Sequence, residues 1–120
     1  MELSQLDVSI VQNKYRKDGK VAVLYSPSYW GGWSTWCRDD QAERMLYDPW
    51  IVDILLSDLL DDEKNNRIRV HCDMCYPDVY LGGLEDLTIA WLPEGCAFRV
   101  VEHDGSEVIE IRDNIDWYTA

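Results

Sequence analysis

Trp30, Trp33 and Trp36 recur at a spacing of three around the pair Gly31-Gly32, inside Ser26-Pro-Ser-Tyr-Trp-Gly-Gly-Trp-Ser-Thr-Trp36. Rings at that density can stack a nucleobase or a sugar, each base–aromatic contact contributing ~1–3 kcal/mol. Gly31 and Gly32 leave backbone N–H groups open to a phosphate or a carbonyl. Ser26, Ser34 and Thr35 add hydroxyls, and Arg38 adds a fork that can meet a phosphate bidentately. Arg99 is a second guanidinium for the same site. The same residues also suit a local core, because a buried indole needs a wide apolar contact and a partner for its N–H. Two readings therefore stand: the wall of a ligand pocket, or a loop packed on the helix that follows it.

His71-Cys72-Asp-Met-Cys75 is the other stretch with chemistry in it, since Cys-x-x-Cys supplies half of a zinc knuckle. The remaining cysteines, Cys37 and Cys96, are single and far apart, so the second half is missing. His71, Cys72 and Cys75 are weak metal candidates, and the expectation is a chain without metal or cofactor. The zinc deaminase pattern also fails, as neither His71 nor His103 opens a His-x-Glu. Gly-x-Ser-x-Gly, a phosphate-binding P-loop and His-Glu-x-x-His are all absent from the sequence. A Ser–His–acid set would have to recruit Ser26 or Ser34 with His71 or His103, and no spacing supports it. The expectation is a protein that binds rather than catalyses.

Charge narrows the partners. The 120 residues carry 23 acids against 11 bases, a net charge of −12. Residues 38–63 hold nine of those acids and two bases, Arg38 and Arg44. Such a field repels nucleic acid and anionic membrane and attracts basic proteins. Asp53, Asp58, Asp61, Asp62 and Glu63 form a candidate partner-binding face, a row of carboxylates that could imitate phosphates. A solvated surface that keeps a small protein soluble is the plain alternative. No apolar run approaches the ~18–20 residues of a membrane span, and the first residues lack the basic and apolar regions of a secretory signal. A cytosolic location with unbridged thiols follows as the expectation.

These segments need a scaffold, and the pattern predicts one α+β domain over residues 1–120. Strands are expected near residues 6–11, 21–25 and 67–72, the last from the alternation of Ile68, Val70 and Cys72. Asp48-Pro49 is a strong helix start. Ile51, Ile54, Leu55 and Leu59 then make one apolar face of a main helix near residues 49–60. Residues 35–45 are expected to contain a short helix, and residues 61–66 a solvated turn. Residues 87–92, 97–101 and 107–111 read as three strands of an antiparallel meander, the last two joined through Asp104-Gly105.

Two groups of residues carry a resemblance. One is Val21-Ala-Val-Leu-Tyr-Ser-Pro27 with Gly32-Trp-Ser-Thr-Trp36. The other is Gly82-Gly83, Leu87-Thr-Ile-Ala-Trp-Leu-Pro-Glu-Gly95, Phe98-Arg99 and Glu102-His-Asp-Gly-Ser-Glu107, with Asp116-Trp117 at the end. Together they resemble a group of small phage- and prophage-encoded proteins, mostly without an assigned activity; residues 61–79 fall outside the resemblance. In that pattern a glycine is commoner where Trp30 stands and a tyrosine where His103 stands. The resemblance implies a phage accessory protein and brings no catalytic residues with it. Small phage accessory proteins often counter host defence.

The leading expectation is a counter-defence protein that sequesters a small nucleotide-like host signal in a Trp-lined pocket, completed across the interface of a homo-oligomer. The alternatives are an acidic protein that blocks a host nucleic-acid-binding defence protein, and a virion or housekeeping protein whose tryptophans are core.

Overall fold

A computed structural model describes residues 14–28, 31–37, 41–77 and 83–112, and shows a small α+β arrangement of two antiparallel sheets and three helices among them. The run Val21-Ala-Val-Leu24 is the middle of strand β2, Lys20–Tyr25, and all four side chains are buried. An uninterrupted apolar run suits a strand covered on both faces. Asp18 and Gly19, both at positive φ, turn β1 (Arg16–Lys17) into β2. On its other edge β2 pairs antiparallel with β3, Thr88–Pro93, from Lys20↔Pro93 to Tyr25↔Thr88. Strands β4 (Phe98–His103) and β5 (Ser106–Ile111) form a separate hairpin around Asp104-Gly105.

The expected meander of the last three strands is therefore corrected. The β4–β5 hairpin is present, but β3 leaves it to pair with β2, some 70 residues earlier in sequence by register. A turn such as Pro93-Glu-Gly95 reverses the chain without fixing which edge the next strand uses, and the apolar β2 takes β3 as its neighbour. The strand expected near residues 6–11 lies outside the described residues.

After the 3-10 turn Ser34–Trp36 come helices α1 (Ala42–Tyr47), α2 (Pro49–Leu56) and α3 (Asp61–Cys75). The Asp48-Pro49 start is as the sequence suggests: Asp48 Oδ1 accepts the N–H groups of Trp50 and Ile51 at 3.0 and 3.2 Å. The helix stops at Leu56, short of residue 60, where the Ser57 hydroxyl turns back to the Ile54 carbonyl.

Residues 67–72 are not a strand, and residues 61–66 are not a turn; both belong to α3. The alternation misled because its apolar residues also fit a helix. Ile68 and Cys72, four apart, are fully buried, whereas Val70 is 53% exposed. Asp61, Asp62 and Glu63 occupy the first turn, where carboxylates favour a helix start.

The core joins Ala22 and Leu24 of β2 to Trp33, Met45, Ile51, Val52, Ile54, Ile68, Cys72 and Tyr76, with Leu84 and Leu87 from the segment before β3. Every helix contributes to it. Among the described residues, no helix is long and apolar enough to cross a membrane.

Candidate functional site

The loop between β2 and α1 is organised around a carboxylate from elsewhere in the chain. Glu107, on β5, is fully buried. Its Oε1 accepts the Ser26 N–H at 2.8 Å, and its Oε2 accepts the N–H groups of Trp33 at 2.7 Å and Thr35 at 3.1 Å. The Thr35 hydroxyl donates to the same Oε2 in a short hydrogen bond. Glu107 returns its own N–H to the Ser26 carbonyl at 2.7 Å, and the Ser106 hydroxyl donates to the Pro27 carbonyl at 2.6 Å. Four donors on one carboxylate compensate a buried charge that has no cation beside it among the described residues.

This geometry decides much about the loop. Its backbone N–H groups do form an anion nest, but the anion in it is the protein's own Glu107. Trp33 is fully buried, and its indole N–H donates to the Met45 carbonyl at 2.8 Å. Trp33 as a pocket wall is thus corrected: its ring is core, and its polar atom is already partnered. Ser26, Gly31, Gly32 and Ser34 are buried as well, while Thr35 and Trp36 are half-buried. The Trp36 ring lies over Gly32 so closely that a Cβ there would stand 2.5 Å from its Cδ1. The Ser26 hydroxyl faces Gly83, which has φ +75; a Cβ at Gly83 would stand 2.5 Å from that oxygen. Arg99 does not join the loop, as its Nε donates to Glu110 at 2.7 Å across the hairpin. Trp30 and Arg38 lie outside the described residues.

Sequence reasoning missed Glu107. The signal was there: in a strand over residues 107–111, Glu107 shares a face with Ile109 and Ile111, and an acid in an apolar row marks a buried carboxylate. The loop segment and the Glu102-to-Glu107 segment that carry the resemblance are the two that meet at this side chain.

Of the weak metal candidates, the helix separates Cys72 from the other two. Cys72 points into the core, and burial, then Asp48 and Cys75, push its thiol up to about 12. His71 and Cys75, one turn apart, flank it on a different line, with His71 Nε2 held by Asp48 at 2.8 Å. Among the described residues, no group of three or more His, Cys, Asp or Glu side chains is arranged to hold a metal.

The five face acids come together at the corner between α2 and α3. Asp53 stands on the exposed side of α2, Asp58 in the link, and Asp61, Asp62 and Glu63 in the first turn of α3; all five are exposed. Among the described residues none of them is in an ion pair. Lys64, in the same corner, caps α2 instead, donating to the Leu55 carbonyl at 2.9 Å. Two leucines stand among the carboxylates, Leu56 at 45% and Leu60 at 74% exposure.

No family model, no curated protein and no solved structure matches the chain.

Chemically, then, the described surface offers a carboxylate-rimmed apolar corner. In the loop, Glu107 already takes the Ser26, Trp33 and Thr35 N–H groups and the Thr35 hydroxyl, while the buried Ser26 hydroxyl has no hydrogen-bond partner among the described residues.

Proposed function

We propose that the protein acts by binding, and that its α2–α3 corner docks on a basic protein surface of the kind that otherwise holds nucleic-acid phosphates. Leu60 carries the reading. It is the N-cap of α3, makes no side-chain cap, and is 74% exposed. Ser, Thr, Asp or Asn at that position would stabilise the helix start by about 1 kcal/mol. A leucine there opposes stability and solubility together, and such local conflicts are expected where a surface binds. Around it, carboxylates without local cations give charge complementarity, which steers encounter and selects a basic partner. Leu56 and Leu60 supply the apolar centre that a charged rim alone lacks.

In a phage-type accessory protein of the host cytosol, this contact would block a host nucleic-acid-binding protein. The nucleotide-sequestering alternative has less support, because Glu107 takes the N–H groups of Ser26, Trp33 and Thr35 with the Thr35 hydroxyl, and the Trp33 ring is core.

The test is the affinity for a fluorescent Arg/Lys-rich peptide at low and raised salt. Asp58→Asn/Asp61→Asn/Asp62→Asn should weaken binding by about tenfold or more. Glu43→Gln/Asp73→Asn/Asp86→Asn changes the net charge equally at other exposed positions and should have a much smaller effect. Equal losses in the two triple variants would reduce the binding to bulk charge and overturn the proposal.

A further inference from the structure

Asp48, His71 and Cys75 form a relay that neither the loop nor the acidic corner uses. Asp48 is 6% exposed and accepts four hydrogen bonds. Two come from the backbone of α2, and its Oδ2 takes the Tyr76 hydroxyl at 2.6 Å and His71 Nε2 at 2.8 Å. A carboxylate that accepts from three other donors is assigned as the acceptor toward His71 as well, which puts the imidazole proton on Nε2. The Nδ1 lone pair is then left facing Cys75, whose Sγ lies 3.8 Å away, one helical turn on.

The ring has little freedom to turn. It stacks on Trp50 at a centroid distance of 4.4 Å and an interplanar angle of 11°, and Tyr76 meets it edge-on at 6.3 Å. Trp50 is 49% exposed, so the array lies at the surface under one aromatic lid. Cys75 is half-buried. An acid that fixes a histidine, which in turn offers a base to a thiol, is the arrangement that activates sulfur as a nucleophile.

We propose that Cys75 is a base-assisted reactive thiol, a site for mixed-disulfide formation with low-molecular-weight disulfides. In the step, the Cys75 S–H proton passes to His71 Nδ1 and the sulfur attacks one sulfur of the disulfide. A new S–S bond forms as the old one breaks, and the departing thiolate takes the proton from His71. One thiol and one disulfide give one thiol and one disulfide, so no further oxidant is needed. Asp48 holds the imidazolium that exists between the two proton transfers.

The chain contains its own comparison thiols. Cys72, adjacent to His71 in sequence but buried in the core, should stay unreactive in the folded protein, whereas Cys96 is half-buried like Cys75 and has no such relay among the described residues. The test exposes the folded full-length protein to oxidised glutathione and, separately, to iodoacetamide, and follows each cysteine by peptide mass mapping. Cys75 should react about tenfold or more faster than Cys96 with both reagents, and His71→Gln should bring the two rates together. Cys72 labelling reports opening of the fold; where His71→Gln exposes Cys72, the comparison of Cys75 with Cys96 in the unaltered protein decides. Equal rates there, or a Cys75 rate unchanged in a folded His71→Gln protein, would overturn the proposal.

Discussion

Ser26 and Glu107, 81 residues apart, hold each other twice: the Ser26 N–H donates to the Glu107 carboxylate and the Glu107 N–H donates to the Ser26 carbonyl. The first bond uses a side chain and the second continues the backbone, so the end of β2 and the start of β5 are tied at one point. Through Glu107 the tie extends to Trp33 and Thr35. The β4–β5 hairpin, which among the described residues shares no strand pairing with the other sheet, is anchored to the fold here.

Glu107→Gln should destabilise the protein by about 2–4 kcal/mol, because the amide turns a donor toward N–H groups that need an acceptor. Urea unfolding measures it. A loss within experimental error of zero would mean that the carboxylate is not what holds the loop.

Trp33→Phe keeps most of the ring and removes the donor to the Met45 carbonyl, and should cost about 1–2 kcal/mol. Trp33→Ala should cost about 3–5 kcal/mol, as an aromatic truncated in a core does. Thermal melts of the two variants would rank them. Equal stability of Trp33→Ala and the unaltered protein would return Trp33 to the surface.

Gly83 and Gly19 have nearly the same φ, +75 and +76, but only Gly83 has neighbours within 4 Å of an added Cβ. Gly19→Ala should therefore cost about 1 kcal/mol, the backbone penalty alone. Gly83→Ala carries that penalty and a clash with the Gly31 carbonyl and Ser26, so it should cost more by at least about 1 kcal/mol. The difference between the two unfolding energies isolates the packing of the loop on Gly83.

Alkaline stability should follow Cys72. Burial first, then Asp48, raises its thiol from 9.0 to about 12 in the folded protein. The fold thus favours the protonated form, and this contribution is complete below the unfolded value and lost as pH rises toward the folded one. The Cys72 contribution should be constant up to near 9 and fall above it, because the unfolded chain then binds fewer protons. Tyr76, raised by burial and by its bond to Asp48, adds to the decline at higher pH. Denaturant unfolding at stepped pH checks the slope, and Cys72→Ala should shallow it; an unchanged slope would contradict the burial of a neutral thiol.

Local chemistry was legible in the sequence wherever one or two residues determine the structure. Asp48-Pro49 starts α2, Asp104-Gly105 turns the β4–β5 hairpin, and Val21-Ala-Val-Leu24 is a central strand. Partner choice was not legible. Nothing near residue 93 states that β3 will pair with β2, and Ile68, Val70 and Cys72 satisfy a period of two as well as a buried i, i+4 pair. The loop's capacity for anions was visible in its glycines and hydroxyls; its occupant was not, because Glu107 arrives from 81 residues away. Asp48 shows the same limit. Its cap to α2 is a local rule, while its bonds to His71 and Tyr76 depend on α3 folding back over it.

The most direct measurement is an amide-resolved NMR titration of the protein with the Arg/Lys-rich peptide. The expected result is a set of shifts confined to the α2–α3 corner, centred on Leu60 and the flanking acids, with the Ser26, Trp33 and Thr35 amides unmoved on Glu107. Shifts at those three amides, with the corner silent, would contradict it and return the binding surface to the tryptophan loop.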